Sequence, residues 1–325
     1  MSQTQQILYL SRADIEALNF RMVDIIAAVE EAFKEKAAGK VEMPPKPGIR
    51  PVQDAFIHAM PAYLPDMPAA GIKWVSGYPK NFKQGLPYIS GLVILNDPDT
   101  GLPISVMDAA WITAKRTGAA TAFAAKYLAR PDSRILGIIG CGVQGRSNLE
   151  ALNAVMKLEE VRAYDISSAN LRRYVDEMTA ESGLAIKPVN NPREAVEDSD
   201  IIVTAGPILK HPSPAIEKSW AKAGVFACPV DFDSYWKPEA MSMMDKFYAD
   251  DIPQLEYYRS TGYFQNIPDV YAELGEVVAG RKAGRESAGE RIMSMNLGVA
   301  IEDIAVAVKI YKEAKRTGKG KELPL

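Results

Sequence analysis

At 325 residues the chain is too long for one ordinary core, and two domains of about 100–200 residues each are expected. With 47% hydrophobic and 24% charged residues it is composed as a globular protein, and 38 Lys and Arg against 41 Asp and Glu leave a net charge of −3 that attracts neither nucleic acid nor an anionic membrane. Cys141 and Cys228 stand far apart without a clustered histidine, which excludes a zinc-type site, and a polar opening (Met1-Ser2-Gln3-Thr4-Gln5-Gln6) with no membrane-length apolar run predicts a cytoplasmic protein without metal or anchor.

Ser11-Arg12-Ala13-Asp14 reads as a capping segment, and Ile25, Ile26, Val29, Ala32 and Phe33 follow at helical spacing to a stop near Gly39. Met43-Pro44-Pro45-Lys46-Pro47-Gly48 is irregular, because proline neither continues a helix nor donates to a ladder. Short β-rich stretches appear at 56–59, 71–76 and 91–96, and the turn Asp97-Pro98-Asp99-Thr100-Gly101 joins 92–95 to 104–107 as a hairpin. This first third is an α+β unit with an antiparallel sheet. An alanine-rich helix over 109–128 leaves it and bridges to the second domain.

From Arg134 the pattern alternates: strands at 135–139, 161–164, 186–189 and 201–204, with helices at 148–156, 170–181 and 192–197 between them. Such alternation predicts a parallel sheet with helices on both faces. Further short strands near 225–229 and 246–249 extend it. Val299, Ile301, Ile304, Ala305, Val308 and Tyr311 predict a C-terminal helix that returns to the first domain, followed by a loose charged tail over 315–325. The expected fold is α/β, a Rossmann-type doubly wound domain over 119–296 plus an α+β domain built from both chain ends, 1–118 and 297–325.

The strand 135–139 runs directly into Gly140-Cys141-Gly142-Val143-Gln144-Gly145, and a helix-competent stretch follows. The first glycine permits the tight turn, the second lets the backbone approach a pyrophosphate, and the third lets helix and strand pack closely. The helix N-terminus adds unpaired N–H groups and the positive end of its dipole. Twenty residues beyond Gly145 the next strand ends in Asp165, whose carboxylate can accept from both ribose hydroxyls and repels a 2′-phosphate. NAD is therefore expected over NADP, although Arg172 and Arg173 lie a turn further on. Gly140, Gly142, Val143, Gln144 and Asp165, with Thr204 and Gly298, are the expected cofactor-binding residues.

Beyond the glycine turn and Asp165, Met60-Pro61-Ala62, Gly71-Ile72-Lys73-Trp74-Val75-Ser76, Pro79-Lys80-Asn81, Thr113-Ala114-Lys115-Arg116-Thr117-Gly118-Ala119, Ala272-Glu273-Leu274-Gly275-Glu276 and Leu297-Gly298-Val299-Ala300-Ile301-Glu302-Asp303 occur in order. Together, over residues 8–314, they resemble the ornithine cyclodeaminase and mu-crystallin family. The resemblance implies a homodimer whose chain ends form the substrate and dimerisation domain, with chemistry on α-amino or α-imino acids. It further implies that Lys73 and Arg116 are the active-site lysine and arginine, and that Asp231 is the active-site aspartate.

A planar guanidinium at Arg116 suits a substrate carboxylate. Burial beside Arg116 would bring Lys73 toward the range of proton transfer, and Asp231 would orient or deprotonate the substrate nitrogen. Lys46 is a further expected carboxylate ligand, with Arg50 close enough to compete. His58 replaces an acidic residue associated with the ornithine-specific members, and Phe232-Asp233-Ser234-Tyr235-Trp236-Lys237 replaces the usual Pro-Gly-Lys, where aromatic bulk is expected to reshape the pocket. These departures favour amino-acid dehydrogenation or imine reduction over cyclodeamination with transient NAD reduction. A non-catalytic ligand-binding role is the third alternative.

Overall fold

The computed structural model describes residues 5–325, so the opening Met1–Thr4, read above as polar, lies outside the described residues. The chain forms two compact units, one from the chain up to Arg116 together with Val299–Leu325, the other from Thr117–Gly298.

The first unit opens with β1 (Gln6–Leu10), a short α1 (Arg12–Glu16) and α2 (Met22–Ala37). Ser11 caps α1 reciprocally: its hydroxyl accepts from the Asp14 amide while the Asp14 carboxylate accepts from the Ser11 amide at 2.9 Å. After the proline loop come β2 (Gly48–Ile49), β3 (Phe56–Leu64), β4 (Ala69–Gly77), β5 (Ile89–Asn96) and β6 (Pro103–Asp108), then α3 (Ala109–Leu128), within which the unit boundary falls. Strand β3 runs past 59 and through Pro61. It can do so because Ala59 and Tyr63 donate on one side to Pro47 and Glu42, and at Pro61, between them, that side needs no donor.

The second unit contains β7 (Ile135–Ile139), α4 (Val143–Val155), β8 (Glu160–Tyr164), α5 (Ser168–Ser182), β9 (Ala185–Pro188), α6 (Pro192–Val196), β10 (Ile201–Thr204), β11 (Phe226–Pro229), α7 (Pro238–Met241), β12 (Lys246–Ala249), α8 (Ile252–Ser260), β13 (Ala272–Glu273), α9 (Leu274–Val278) and β14 (Ile292–Met295). Its strands are parallel, in the order β13-β12-β14-β11-β10-β7-β8-β9. Every residue of β10, β11, β12 and β14 is buried, as a sheet covered on both faces requires. The order reverses between β7 and β10, and the crevice beyond the carboxyl ends of strands at such a switch is where this architecture takes ligands.

The chain then returns to the first unit with α10 (Ala300–Thr317) and β15 (Lys321–Pro324). Helix α10 packs against α2, β3, β4 and β5. The tail, expected to be loose, is instead a strand: β15 pairs antiparallel with β1 from Gln6↔Pro324 to Tyr9↔Lys321. The cause is an edge. β1 pairs with β6 on one side only, and the tail closes its other side, helped by Lys315–Glu322 at 2.7 Å. The finished sheet runs β15-β1-β6-β5-β4-β3-β2, and apart from the parallel pair β1–β6 it is antiparallel, as read from the hairpin turns.

Candidate active site

In the second unit, Gly140 adopts φ +100°, a conformation that excludes ordinary side chains, and a Cβ there would also meet the Ala205 carbonyl oxygen at 2.6 Å. At Gly145 a Cβ would lie 2.1 Å from the Gly140 oxygen, so the third glycine is required for the helix to sit on the turn. Gly142 differs, since a Cβ there meets nothing within 4 Å and protein packing does not demand glycine; what its absence of side chain leaves open is the backbone at the N-terminus of α4. Val143, the first residue of that helix, is 65% exposed, and Gln144 follows it.

Asp165 follows β8, and its two oxygens accept from the Cys141 amide and the Ser167 amide, each at 2.8 Å. The carboxylate is thereby tied to the glycine turn while its remaining lone pairs stay available to hydroxyl donors. This combination fits the adenosine half of NAD. Burial and the Asp165 carboxylate push the Cys141 thiol up to about 12, so it stays protonated near neutrality.

Thr204 ends β10 and Asp231 follows β11, the neighbouring strand. The Thr204 hydroxyl donates to Asp231 Oδ1 at 2.6 Å, and the Gly206 amide donates to Oδ2 at 2.8 Å. Asp231 is fully buried, and burial raises its carboxyl to about 7 despite these two donors, which act to lower it. Gly298 is placed differently from the glycine turn: with φ +76° it donates its amide to Asp250 Oδ2 at 2.7 Å.

The aromatic run after Asp231 corrects the expectation drawn from sequence. Phe232 takes φ +62°, a left-handed conformation rare for a bulky residue, and its ring turns into the unit's own core against Tyr258, Tyr263 and Phe264. Trp236 is buried in the same core. The ring left near the strand ends is Tyr235, which lies over Gly206 so closely that a Cβ on that glycine would be 2.3 Å from Tyr235 Cε2. Burial and then the Asp231 and Asp165 carboxylates push the Tyr235 phenol up to about 12. Sequence reading did not single out Tyr235; the signal was the pairing of an aromatic with a glycine one step beyond a strand end.

In the first unit, Lys73 projects from the inward face of β4 and is 1% exposed. Its ammonium lies 2.7 Å from Asp303 Oδ2 and donates to the Thr113 hydroxyl at 3.4 Å. Arg116, on α3, places Nη1 2.6 Å from Glu302 Oε2 and Nε 3.1 Å from Asp303 Oδ1. Lys46 is buried in the same unit, and Arg50 is exposed. Burial, followed by the charge on Arg116, lowers Lys73 to about 7. His58 faces inward on β3, stacked on Phe56 at 4.3 Å, and Gly48 opposite it has no room for a Cβ. Burial, then Lys46, Arg50 and Lys73, push His58 down to about 3, so the imidazole is neutral.

Lys46, Lys73 and Arg116 thus share one unit, and Asp165, Thr204 and Asp231 the other. Glu302 and Asp303 were quoted above only as part of a motif. Two acids in the first turn of a helix ordinarily sit in water complementing the dipole, and only their burial reveals a different task.

The family model described as the ornithine cyclodeaminase/mu-crystallin family matches residues 5–318. The chain is 37% identical over 324 residues to the alanine dehydrogenase of Archaeoglobus fulgidus, covering 97% of this chain and 98% of that protein. Among solved structures it is similar to Thermococcus litoralis Delta(1)-pyrroline-2-carboxylate reductase in complex with NADH and L-proline, with a TM-score of 0.88, 37% identity, and 97% and 99% of the two chains covered. It is also similar to an archaeal alanine dehydrogenase dimer with bound NAD, with a TM-score of 0.88, 35% identity, and 99% and 100% covered.

Proposed function

Because the chain belongs to the ornithine cyclodeaminase/mu-crystallin family, we propose that it is an NAD-dependent oxidoreductase that interconverts an α-amino acid and its α-imino acid. The observation that carries this reading is the matched pair of buried titratable groups, one in each unit: burial lowers Lys73 to about 7 and raises Asp231 to about 7. Both then exchange protons near neutrality, where general acid and base catalysis is most effective.

NAD, when bound, would supply hydride exchange at the substrate Cα. The glycine turn and the start of α4 would hold its pyrophosphate, and Asp165 would hold its adenosine ribose. Asp231, kept in place by Thr204 and Gly206, carries the proton exchanged with the substrate nitrogen. Lys73 takes the second nitrogen proton, the one whose loss turns the iminium into the neutral imine, and Arg116 and Lys46 bind the substrate carboxylate.

Charge in the first unit narrows the substrate. Three buried basic side chains, Lys46, Lys73 and Arg116, gather beside Glu302 and Asp303, and the neutral His58 adds no charge. Where an ornithine-type substrate would need an anion for its distal ammonium, position 58 offers a neutral imidazole under cationic influence, which disfavours cyclodeamination. The substrate class is therefore an amino or imino acid with an uncharged side chain.

The reading includes a homodimer. The outer face of the first unit's sheet is apolar: Trp74 pairs with Ala59 and Leu92, and Ile94 with Ile72 and Val106, with Trp74 47% and Leu92 43% exposed. A second copy of the chain is the partner that would cover it. Among the described residues no helix is long and apolar enough to cross a membrane, and the cytoplasm is the compartment we propose.

The test is an assay of neutral amino acids and of ornithine with NAD, following NADH and ammonia together. Stoichiometric NADH at steady state is the expected result. Ammonia release without NADH would replace this reading with the cyclodeaminase one, and binding without turnover would leave a ligand-binding protein.

A further inference from the structure

Glu302 and Asp303 are adjacent in the first turn of α10, both fully buried, and neither caps its own helix. Their oxygens face cations from two other elements. Glu302 reaches Arg116 alone, whereas Asp303 divides its carboxylate: Oδ2 lies 2.7 Å from Lys73 Nζ on β4, and Oδ1 takes Arg116 Nε at 3.1 Å on α3. Lys73 and Arg116 lie on different elements, β4 and α3, and the anion they share comes from the C-terminal helix.

We propose that Asp303 is a positioning residue that bridges Lys73 and Arg116, fixing the place of both cations and keeping Lys73 able to hold a proton. Two buried cations side by side repel, and each would shed charge or move apart without an anion between them. The groups facing Lys73 are Arg116 from α3, Asp303 and Glu302 from α10, Lys46 from the proline loop and His58 from β3. Of these, Asp303 is the anion that touches the ammonium. Burial and Arg116 pull the lysine toward the neutral amine, and Asp303 opposes them. The C-terminal helix thus helps set the protonation state of the site as well as filling the core.

Asp303 as a bridge rests on geometry alone, while its importance for turnover rests on the function proposed above, and two measurements separate them. The first needs no substrate: the 13Cε NMR signal of Lys73, assigned by its loss in Lys73→Met, is titrated with pH. Asp303→Asn is expected to lower the Lys73 midpoint by about one pH unit or more, Asp303→Glu to restore most of it, and Glu302→Gln to move it less. An unmoved midpoint in folded Asp303→Asn overturns the proposal. If Asp303→Asn does not fold, the double variant Lys73→Met/Asp303→Asn decides: recovery of folding supports the bridge, because the unpaired cation has gone, and failure overturns it. The second is the pH profile of kcat on the identified substrate. A limb that follows the NMR midpoint supports Lys73 as the proton carrier; a limb that stays while the midpoint moves removes Lys73 from that role and leaves the bridge standing.

Discussion

The Thr204 hydroxyl donates to Asp231 Oδ1 over 2.6 Å, joining the ends of two neighbouring strands through a buried carboxylate. The bond stabilises the ionised form, so Thr204→Val should raise Asp231 further above about 7. The limb of the kcat/KM profile governed by Asp231 should move to higher pH by roughly one unit. A profile identical to wild type would show that Asp231 does not govern that limb.

The same carboxyl makes a stability prediction. Its folded pKa of about 7 lies above the ordinary 3.8, so between those values the unfolded chain ionises while the folded protein retains its proton. The folded state then binds more protons, and this group's contribution to stability falls as pH rises through that window, with the full penalty present above it. Asp231→Asn should therefore gain more in Tm relative to wild type at about pH 8 than at about pH 4.5. Thermal unfolding at the two pH values checks the sign.

Asp165 is tied to the Cys141 and Ser167 amides, so its negative charge is fixed beside the glycine turn. NADH should bind at least about tenfold more tightly than NADPH, roughly 1.4 kcal/mol. Asp165→Ser should narrow that ratio without unfolding the protein. Fluorescence titration of both cofactors measures it, and tighter NADPH binding by wild type would refute the assignment.

What could be read in the chain was what local chemistry dictates. The tight turn at Gly140 and the carboxylate ending β8 follow from residues within a few positions of each other, as does the hairpin at Asp97–Gly101. Pairings between distant segments were not readable: β15 closes the edge of β1 from the opposite end of the chain, and β14 slips between β11 and β12 in the sheet. The ion pairs of Glu302 and Asp303 belong to the same class, because a first-turn acid looks identical whether it meets water or a buried lysine. Phe232 was misjudged for another reason. Its direction depends on a left-handed backbone that ordinary propensities argue against.

The apolar outer face of the first unit's sheet gives a prediction of assembly. Trp74 stands beside Leu92 and Ala59 on that face, while its neighbour Lys73 points inward. Trp74→Glu would set a charge among these apolar side chains, so the wild type should be a dimer at micromolar concentration and the variant largely a monomer. Light scattering distinguishes them, and a wild-type monomer would contradict the assignment of this face.

Lys73 and Arg116 share Asp303 but are expected to do different work, so their variants should fail differently. Arg116→Lys keeps the charge and loses the planar arrangement that lets Nη1 and Nε meet Glu302 and Asp303 together. It should mainly raise KM for the amino acid, since carboxylate binding is common to the ground and transition states. Lys73→Met keeps the length of the side chain but removes the group that burial brings to about 7. Its kcat should fall by roughly two to four powers of ten, the usual worth of a positioned proton-transfer group. NADH affinity should survive both changes, because the glycine turn and Asp165 belong to the other unit. Steady-state kinetics and NADH titration of the two variants measure the contrast, and near-normal kcat in Lys73→Met would reduce Lys73 to a binding or structural lysine.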